Sequence, residues 1–584
     1  MSLMVARSIA TSALITAQTR MSVAAANVAN ADSEGYTRKV ATQTAQSTAG
    51  VGTGVAVTSI ASTVDKYLLA SLVAADTRLG AAETTASYTD RLQALYGTVS
   101  STDDETTGTS LANTIADLTD ALTQLSGTPE SATLQAQVVD DLDAVASQLR
   151  STSDGIQSLR SDADQEIETT VDEINEALAT IDDLNDRIVA AKAAGVPTGD
   201  LEDARTTALE TVASAMDVTS FTDQSGALKI YTASGRTLLD GTVHALSYSS
   251  ATAVTADTRY PGGFAGIVVD GVDITAQISG GSIGALITLR DETLPDAQAD
   301  LDGLAVSLAD ALNAAHNQGT AVPAPSSLGG TTVLDAGDGF SATGTARFAV
   351  VDADGKLVAS ADIDLSTITT VGDLVDAIDA VDGLSASLDA DGHLVVTADD
   401  ADTGVAVGTL TSSVGDGGQG LSDWLGLNDL VTATGASDFS VRSDILANES
   451  RLAVSTLDES DPLTVGDTVL PTGSMAVADA LVDVFETTHD FAAAGNLGST
   501  TTTFASYASQ LVAAVASTAA SAESELGVAT SVHASASDAV SSQSGVNVDE
   551  ETALIDELQS AYQAAAQIVS VLNEMFEALL DMVQ

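Results

Sequence analysis

Residue types that could carry chemistry are sparse in this chain. Its five histidines, His244, His316, His393, His489 and His533, are scattered, with no His-x-x-x-His or His-Glu pairing to seat a metal. There is no cysteine, which excludes thiol catalysis, disulfides and any Cys-ligated metal. No Gly-x-Ser-x-Gly elbow, phosphate-cradling loop or dinucleotide fingerprint stands in a strand-turn-helix setting. Asp-Ala-Asp-Gly occurs twice, at 352–355 and 389–392, and a calcium loop also starts Asp-x-Asp. An EF-hand glycine would fall two positions later and a closing Glu is missing, whereas Asp-Gly between alternating apolar runs is a strong hairpin signal. Both copies therefore read as turns. Trp424, the single tryptophan, reads as a core anchor, and carboxylates are too abundant for any one pair to stand out as an acid–base couple. The sequence implies no enzyme, no cofactor and no metal site.

The charge balance narrows the partners. Against 82 acidic residues stand 20 Lys and Arg, a net of −62 over 584 residues, and no Lys or Arg follows Arg451. Phosphate-rich surfaces are bound through cations, so nucleic acid and anionic membrane are excluded as partners. Hydrophobic residues make up 44% and aromatics 3%, so cores must be built from Ala, Val, Leu and Ile. No uninterrupted apolar run reaches the ~18 residues of a membrane span. Thr11, Ser12 and Thr16 break the apolar segment after Arg7, which argues against a cleaved signal peptide.

Apolar spacing identifies the elements that organise the chain. Leu554, Leu558, Ala561, Ala565, Ile568, Leu572, Met575, Leu579 and Met582 fall at alternating four- and three-residue steps, the spacing of a coiled-coil seam. A second stripe, Ile555, Tyr562, Val569, Phe576 and Val583, runs beside it at seven-residue intervals. The spacing predicts a helix from about residue 549 to the end, capped by Asn547 or Asp549. At the other end Leu3, Ala10, Leu14, Ala17, Met21, Ala24 and Val28 form an Ala-rich seam interrupted by Arg7. Residues 50–57 read as a glycine-loosened extended segment suited to a hinge. Helical period returns near Ser62 and, beyond a polar gap at 100–109, runs from Leu111 to Ala194, with Pro129 placed in a helix first turn. Strand-like text at 221–278, helix at 283–319, a β-rich stretch at 320–471 and helix at 477–540 follow. The fold class expected is α+β and multidomain: a long helical bundle or coiled-coil core formed by both termini, with β-rich domains inserted in the middle. Its domains are 1–50 with 545–584, 51–215 with 283–319 and 476–544, 216–282, and 320–475.

Asn27-Val28-Ala29-Asn30 followed by Gly35-Tyr36-Thr37-Arg38 resembles the N-terminal signature of the bacterial flagellar rod, hook and hook-associated proteins. The stretch Ser544-Gly545-Val546-Asn547-Val548-Asp549-Glu550-Glu551 narrows the resemblance to the hook-associated proteins, and 200–205, 283–291 and 313–319 to those at the hook–filament junction. Residues 200–205 depart from the Asp-Gln-Arg-Asp form usual in the family, at the segment that ends in Arg205. The resemblance implies an extracellular structural protein of the flagellum that joins hook to filament, exported by the type III apparatus without a cleaved signal. It further implies terminal helices that fold on incorporation. Implied partners are other copies in a ring, the hook protein, hook-associated protein 3 and a cytoplasmic export chaperone for the C-terminal helix. The motif positions are Asn27, Asn30, Gly35, Tyr36, Arg38, Gly545, Asn547 and Asp549. The assembly positions are Leu3, Leu14, Met21, Val28, Leu554, Leu558, Tyr562, Ile568, Leu572, Met575, Phe576 and Leu579. On this reading the stripe through Leu554 pairs with the N-terminal helix, and the stripe through Ile555 and Phe576 meets neighbouring subunits. The alternatives are another axial flagellar protein (hook protein, flagellin or a different hook-associated protein), or a surface adhesin or hydrolase carried by a flagellar export region.

Overall fold

The computed structural model describes residues 3–33, 35–62, 64–97, 110–415 and 417–582. The polar gap expected at 100–109 and Val583 lie outside the described residues. Helix α1 (Leu3–Ala29) leads into a hairpin of strands β1 (Lys39–Thr48) and β2 (Val51–Ser62). A helical body follows: α2 (Lys66–Leu95), α3 (Leu111–Gly127), α4 (Ala132–Ala194) and α5 (Gly199–Ala215). Strands β3 (Val218–Thr222), β4 (Leu228–Thr232) and β5 (Thr237–Leu239) form an antiparallel sheet in that order. A smaller sheet within 246–273 precedes α6 (Gly281–Thr288) and α7 (Leu294–His316). The second β-rich region carries α8 (Val371–Asp379), α9 (Leu421–Leu425) and α10 (Ser443–Ala447). The chain closes with α11 (Ala476–Glu486), α12 (Phe504–Ser544) and α13 (Val548–Asp581).

Helix α4 is the spine. Its 63 residues span ~95 Å at ~1.5 Å per residue. The Ser131 hydroxyl caps it by accepting the Leu134 N–H, and Gly195, left-handed at φ 72°, ends it. Pro129 therefore precedes the cap instead of opening the first turn, because Ser131 supplies the capping oxygen that proline lacks. Leu142, Leu149, Ile156, Ala163, Ile167, Ile174 and Ile181 are buried along one face, in a core that runs continuously through α2 to α7, α11 and α12. Burial of that face, not local propensity, is what holds so long a helix in the body.

The β-rich region has its own core around Phe348, Leu374, Leu394, Val405 and Leu421. Strand Thr345–Asp352 pairs with Leu357–Asp364 and Thr403–Gly408, and His393–Ala398 lies between Leu384–Leu388 and Ser327–Val333. This separate core ends near Leu427, whereas Leu430, Val431, Phe439, Leu452 and Val454 join the helical core. The expected single insertion 320–475 is thus divided, because the segment after 429 is apolar enough to be buried against α4 and α7.

Two further expectations are corrected. Residues 50–57 are not a loose hinge: 51–57 belong to β2, paired along its length with β1, and Gly50 forms the connecting turn with Ala49, both at positive φ. The hairpin lies on α1, where the Val55 N–H donates to Ser12 Oγ at 3.2 Å, and a Cβ at Gly54 would collide with Ser12. A domain boundary at residue 50 would cut this hairpin at its turn. Likewise 477–540 is not one helical run, since the short strands His489–Phe491 and Thr500–Thr502 separate α11 from α12. Phe491 from that hairpin stacks on Tyr507 at 4.0 Å, which repays the break in the helix with aromatic packing.

Candidate functional site

The motif residues from the two ends of the chain meet at one place. Helix α1 ends at Ala29 and α13 begins at Val548, and the Asn27 side chain sits between them, buried. Its Nδ2 donates to Glu551 Oε2 at 3.0 Å and to the Lys39 carbonyl at 2.9 Å. Its Oδ1 accepts from the Lys39 N–H and the Tyr36 hydroxyl, each at 3.0 Å. One carboxamide thereby uses both of its donors and both lone pairs to tie α1, β1 and α13 together. Glu551, 1% exposed, also accepts from Arg38 Nε at 2.7 Å, a charge-assisted bond that keeps the buried carboxylate paired. The Arg38 N–H donates to the Ser544 carbonyl at 2.7 Å, at the last residue of α12.

The same loop is fixed to the body. Asp203 on α5 accepts from the Thr37 N–H at 3.0 Å, from Thr37 Oγ1 at 2.5 Å and from the Lys39 ammonium. That ammonium also lies 4.1 Å over the Tyr36 ring. Burial, then the negative charges of Asp200, Asp203 and Glu551, raise the Tyr36 hydroxyl above its ordinary pKa, so it stays a donor to Asn27. Gly35 adopts φ 73°, a conformation only glycine takes without strain, and turns the chain into this network. Asn547 Oδ1 accepts from the Asp549 and Glu550 N–H groups and caps α13, with three acids in its first turn. Asn30 closes α1 by donating from Nδ2 to the Ala26 carbonyl, and Gly545 separates α12 from α13.

From this clamp α1 and α13 run antiparallel, with Asn27 beside Glu551 at one end and Phe576 beside Met4, Ser8 and Ile15 at the other. Ala10, Ala17 and Ala24 are buried in α1, flanked by half-buried Leu3, Leu14, Met21 and Val28. On α13 the buried line is Leu558, Ala565 and Leu572, flanked by half-buried Leu554, Ile555, Val569 and Phe576. The assignment of the two stripes is therefore corrected. Ile568, Met575, Leu579 and Met582, expected in the pairing seam, are 43–77% exposed, whereas Val569 and Phe576 face α1. An alanine seam on α1 is narrow and leaves room for the larger stripe of α13, so the other stripe turns to solvent. Tyr562 lies on the border at 39% exposure.

The remaining candidates brace the fold. His316, fully buried, donates from Nδ1 to the Asn428 carbonyl, and its Nε2 accepts the Ala453 N–H at 2.7 Å. Burial lowers its pKa to about 4, so it is neutral. His533 contacts Asp76 at 3.0 Å between α12 and α2, His489 bonds the Val484 carbonyl, and His244 lies between Asp240 and Asp270. Burial raises the Asp76 carboxyl above its ordinary range. Both Asp-Ala-Asp-Gly copies are hairpin turns in which the first Asp accepts backbone N–H groups two and four residues on. Asp389, Asp391 and His393 cluster there as a consequence of that turn. Trp424 packs against the β core, edge-on to Phe340 at 5.3 Å. Arg205 is buried and donates to Asn185 Oδ1 and the Gly226 carbonyl, a packing role within the body. Lys39 lies outside the motif stretches, and although 200–205 holds Asp203 and 544–551 holds Glu551, no spacing within them marks the pairing of Asp203 with Lys39 or of Glu551 with Asn27.

Comparison with known proteins adds four matched segments. Residues 98–329 match the flagellar hook-associated protein FlgK helical domain, and 8–37 match the flagella basal body rod protein family. Residues 348–400 match the flagellin hook IN motif, and 538–582 the flagellar basal body rod FlgEFG protein C-terminal family. The bond from Asn27 to Glu551 joins the segments 8–37 and 538–582. Flagellar hook-associated protein 1 of Escherichia coli is 25% identical over 98% of both chains, and that of Salmonella typhimurium 24% over the same shares. The Bacillus subtilis protein of that name is 24% identical over 53% of this chain and 66% of its own. A solved structure, the flagellar hook junction protein FlgK from Burkholderia pseudomallei, aligns with TM-score 0.49 and 15% identity over 80% of this chain and 98% of that one.

Proposed function

The chain belongs to the flagellar hook-associated protein 1 family, and we propose that it joins hook to filament by presenting its two ends as one clamped helix pair. The observation that carries this reading is the bond from Asn27 to Glu551, which joins positions 524 residues apart. With the ends held together, Ile568, Val571, Met575 and Leu579 on the exposed face of α13 form one apolar stripe. A stripe of that kind is covered when subunits associate. The partners in this reading are further copies in a ring, the hook protein and hook-associated protein 3, with a cytoplasmic chaperone shielding α13 before export. This reading gives the chain a structural role and assigns it no reaction. No described helix is long and apolar enough to cross a membrane. Cells lacking the gene should carry hooks without filaments. A variant lacking 1–30 and 549–584 should show a folded helical body by circular dichroism and fail to restore filaments; filament growth with it would overturn the reading.

A further inference from the structure

A second surface lies away from the terminal pair. Helix α2 and strand β3 flank a groove of about 500 Å³ whose floor is Val73, Leu209 and Leu228, all buried. Strand β3 is the edge of its sheet, and Phe221 on it is 54% exposed, held flat against Tyr231 with ring centroids 5.8 Å apart. Lys66 and Arg78 stand at the groove on α2, both exposed and twelve positions apart in the sequence, about 18 Å along a helix. Neither makes an ion pair or hydrogen bond among the described residues. The one carboxylate in the lining, Asp217, accepts from Ser279 Oγ at 3.2 Å.

Most of the 20 bases of this chain are bonded to carboxylates or carbonyls, whereas these two stand unpaired beside an apolar floor. They point to a partner that is itself acidic and partly apolar. The chain's own stretch from 452 to 584 has that character, with no Lys or Arg and with exposed apolar residues such as Val465 and Val528. We infer that this groove receives an acidic face from residues 452–584 of a second copy, with Lys66 and Arg78 bracketing it and Phe221 as the apolar anchor. Two copies of so acidic a chain repel overall, so a contact between them needs a local site of opposite charge. The inference rests on the reading that copies of this chain assemble side by side.

The absence of native cysteine allows a direct test. Phe221→Cys in the full chain, carrying a benzophenone maleimide, would be photolysed on flagella of the source cells and the adducts mapped by mass spectrometry. The expected result is an adduct of twice the monomer mass, with the crosslinked peptide inside 452–584. Adding Lys66→Glu and Arg78→Glu should lower its yield about tenfold, with circular dichroism unchanged because both side chains are exposed. Adducts confined to another flagellar protein, or a yield unaffected by the charge reversals, would overturn the inference. So would the absence of adducts on flagella that still bear filaments, and that outcome leaves the junction role standing. Filaments on cells lacking the gene would instead overturn the junction role.

Discussion

Glu551 is a carboxylate almost wholly withdrawn from water, held by one guanidinium and one carboxamide. Removing it leaves one Nδ2 donor of Asn27 without an acceptor and Arg38 unpaired at a half-buried position. Glu551→Ala should weaken the clamp by about 2 kcal/mol, the scale of a hydrogen bond to a buried charge. Hydrogen exchange of the full chain checks this: amides in the first turns of α13 should exchange faster while those of α4 are unchanged. Equal protection in both would show that the clamp holds nothing. His316 gives a second test at this scale. Its folded pKa of about 4 lies below the ordinary 6.5, so the folded state resists protonation. Stability tied to this neutral ring is complete above pH 6.5 and is lost as pH falls toward 4. Between pH 7 and pH 5 the loss should be about 2 kcal/mol. His316→Gln removes that dependence, so the stability gap between wild type and variant in urea should narrow over the same interval. Among residues, Asn27, Tyr36 and Arg38 were legible through the motif resemblance alone, since Asn27 and Arg38 find their partner Glu551 more than 500 positions away. Lys39 and Asp203 were not, because their pairing depends on the fold bringing β1 beside α5.

Helices were legible wherever one apolar period ran unbroken, as in α4, α7 and α13. What the period left open on α13 was which of two adjacent stripes meets α1. The buried trio Leu558, Ala565 and Leu572 belongs to one stripe, but its flanking partner is decided by the shape of the facing helix. Ala10, Ala17 and Ala24 make a shallow seam, and Phe576, half-buried, stands at a groove that α1 lines with Ser8 and Ser12. The hairpin β1–β2 was missed for a related reason: its residues are mostly exposed small and polar ones, and its register is set by contact with α1. Two substitutions separate the faces of α13. Phe576→Glu should loosen the outer end of the helix pair at a cost of about 1–2 kcal/mol, half of full burial, read as lost helicity in the monomer. Leu579→Glu, at a position 43% exposed, should leave monomer helicity intact and stop filament growth. Identical behaviour of the two variants would put both residues on the same face and refute the assignment.

The whole molecule is one helical body with two kinds of attachment, a clamped pair of ends and a β-rich unit with its own core. The boundary of that unit is a matter of burial, and it does not coincide with the change in sequence character near 471. Asn313 Oδ1 on α7 accepts from the Leu430 and Val431 N–H groups, and Asn317 Nδ2 donates to Asp429. His316, one residue before Asn317, is held by Asn428 and Ala453. The end of α7 is therefore roofed by 428–454, and Leu430, Phe439 and Leu452 complete the core beneath it. Asn428 Nδ2 also donates to the Gly319 carbonyl, so the chain enters and leaves the β-rich unit at neighbouring points. Replacing 327–427 with a short Gly-Ser linker should leave the helical body folded, at the cost of uncovering Leu457, Val469 and Leu470, which pack on that unit. Removing 321–471 should do far more damage. It strips the polar partners of Asn313, His316 and Asn317 and opens the core over α7, losses that individually cost about 1–3 kcal/mol for each orphaned buried group. Thermal unfolding followed by circular dichroism compares the two deletions. The shorter should melt as one cooperative transition near the parent's, and the longer should melt well below it or not fold. A longer deletion as stable as the shorter one would place 428–454 outside the body core.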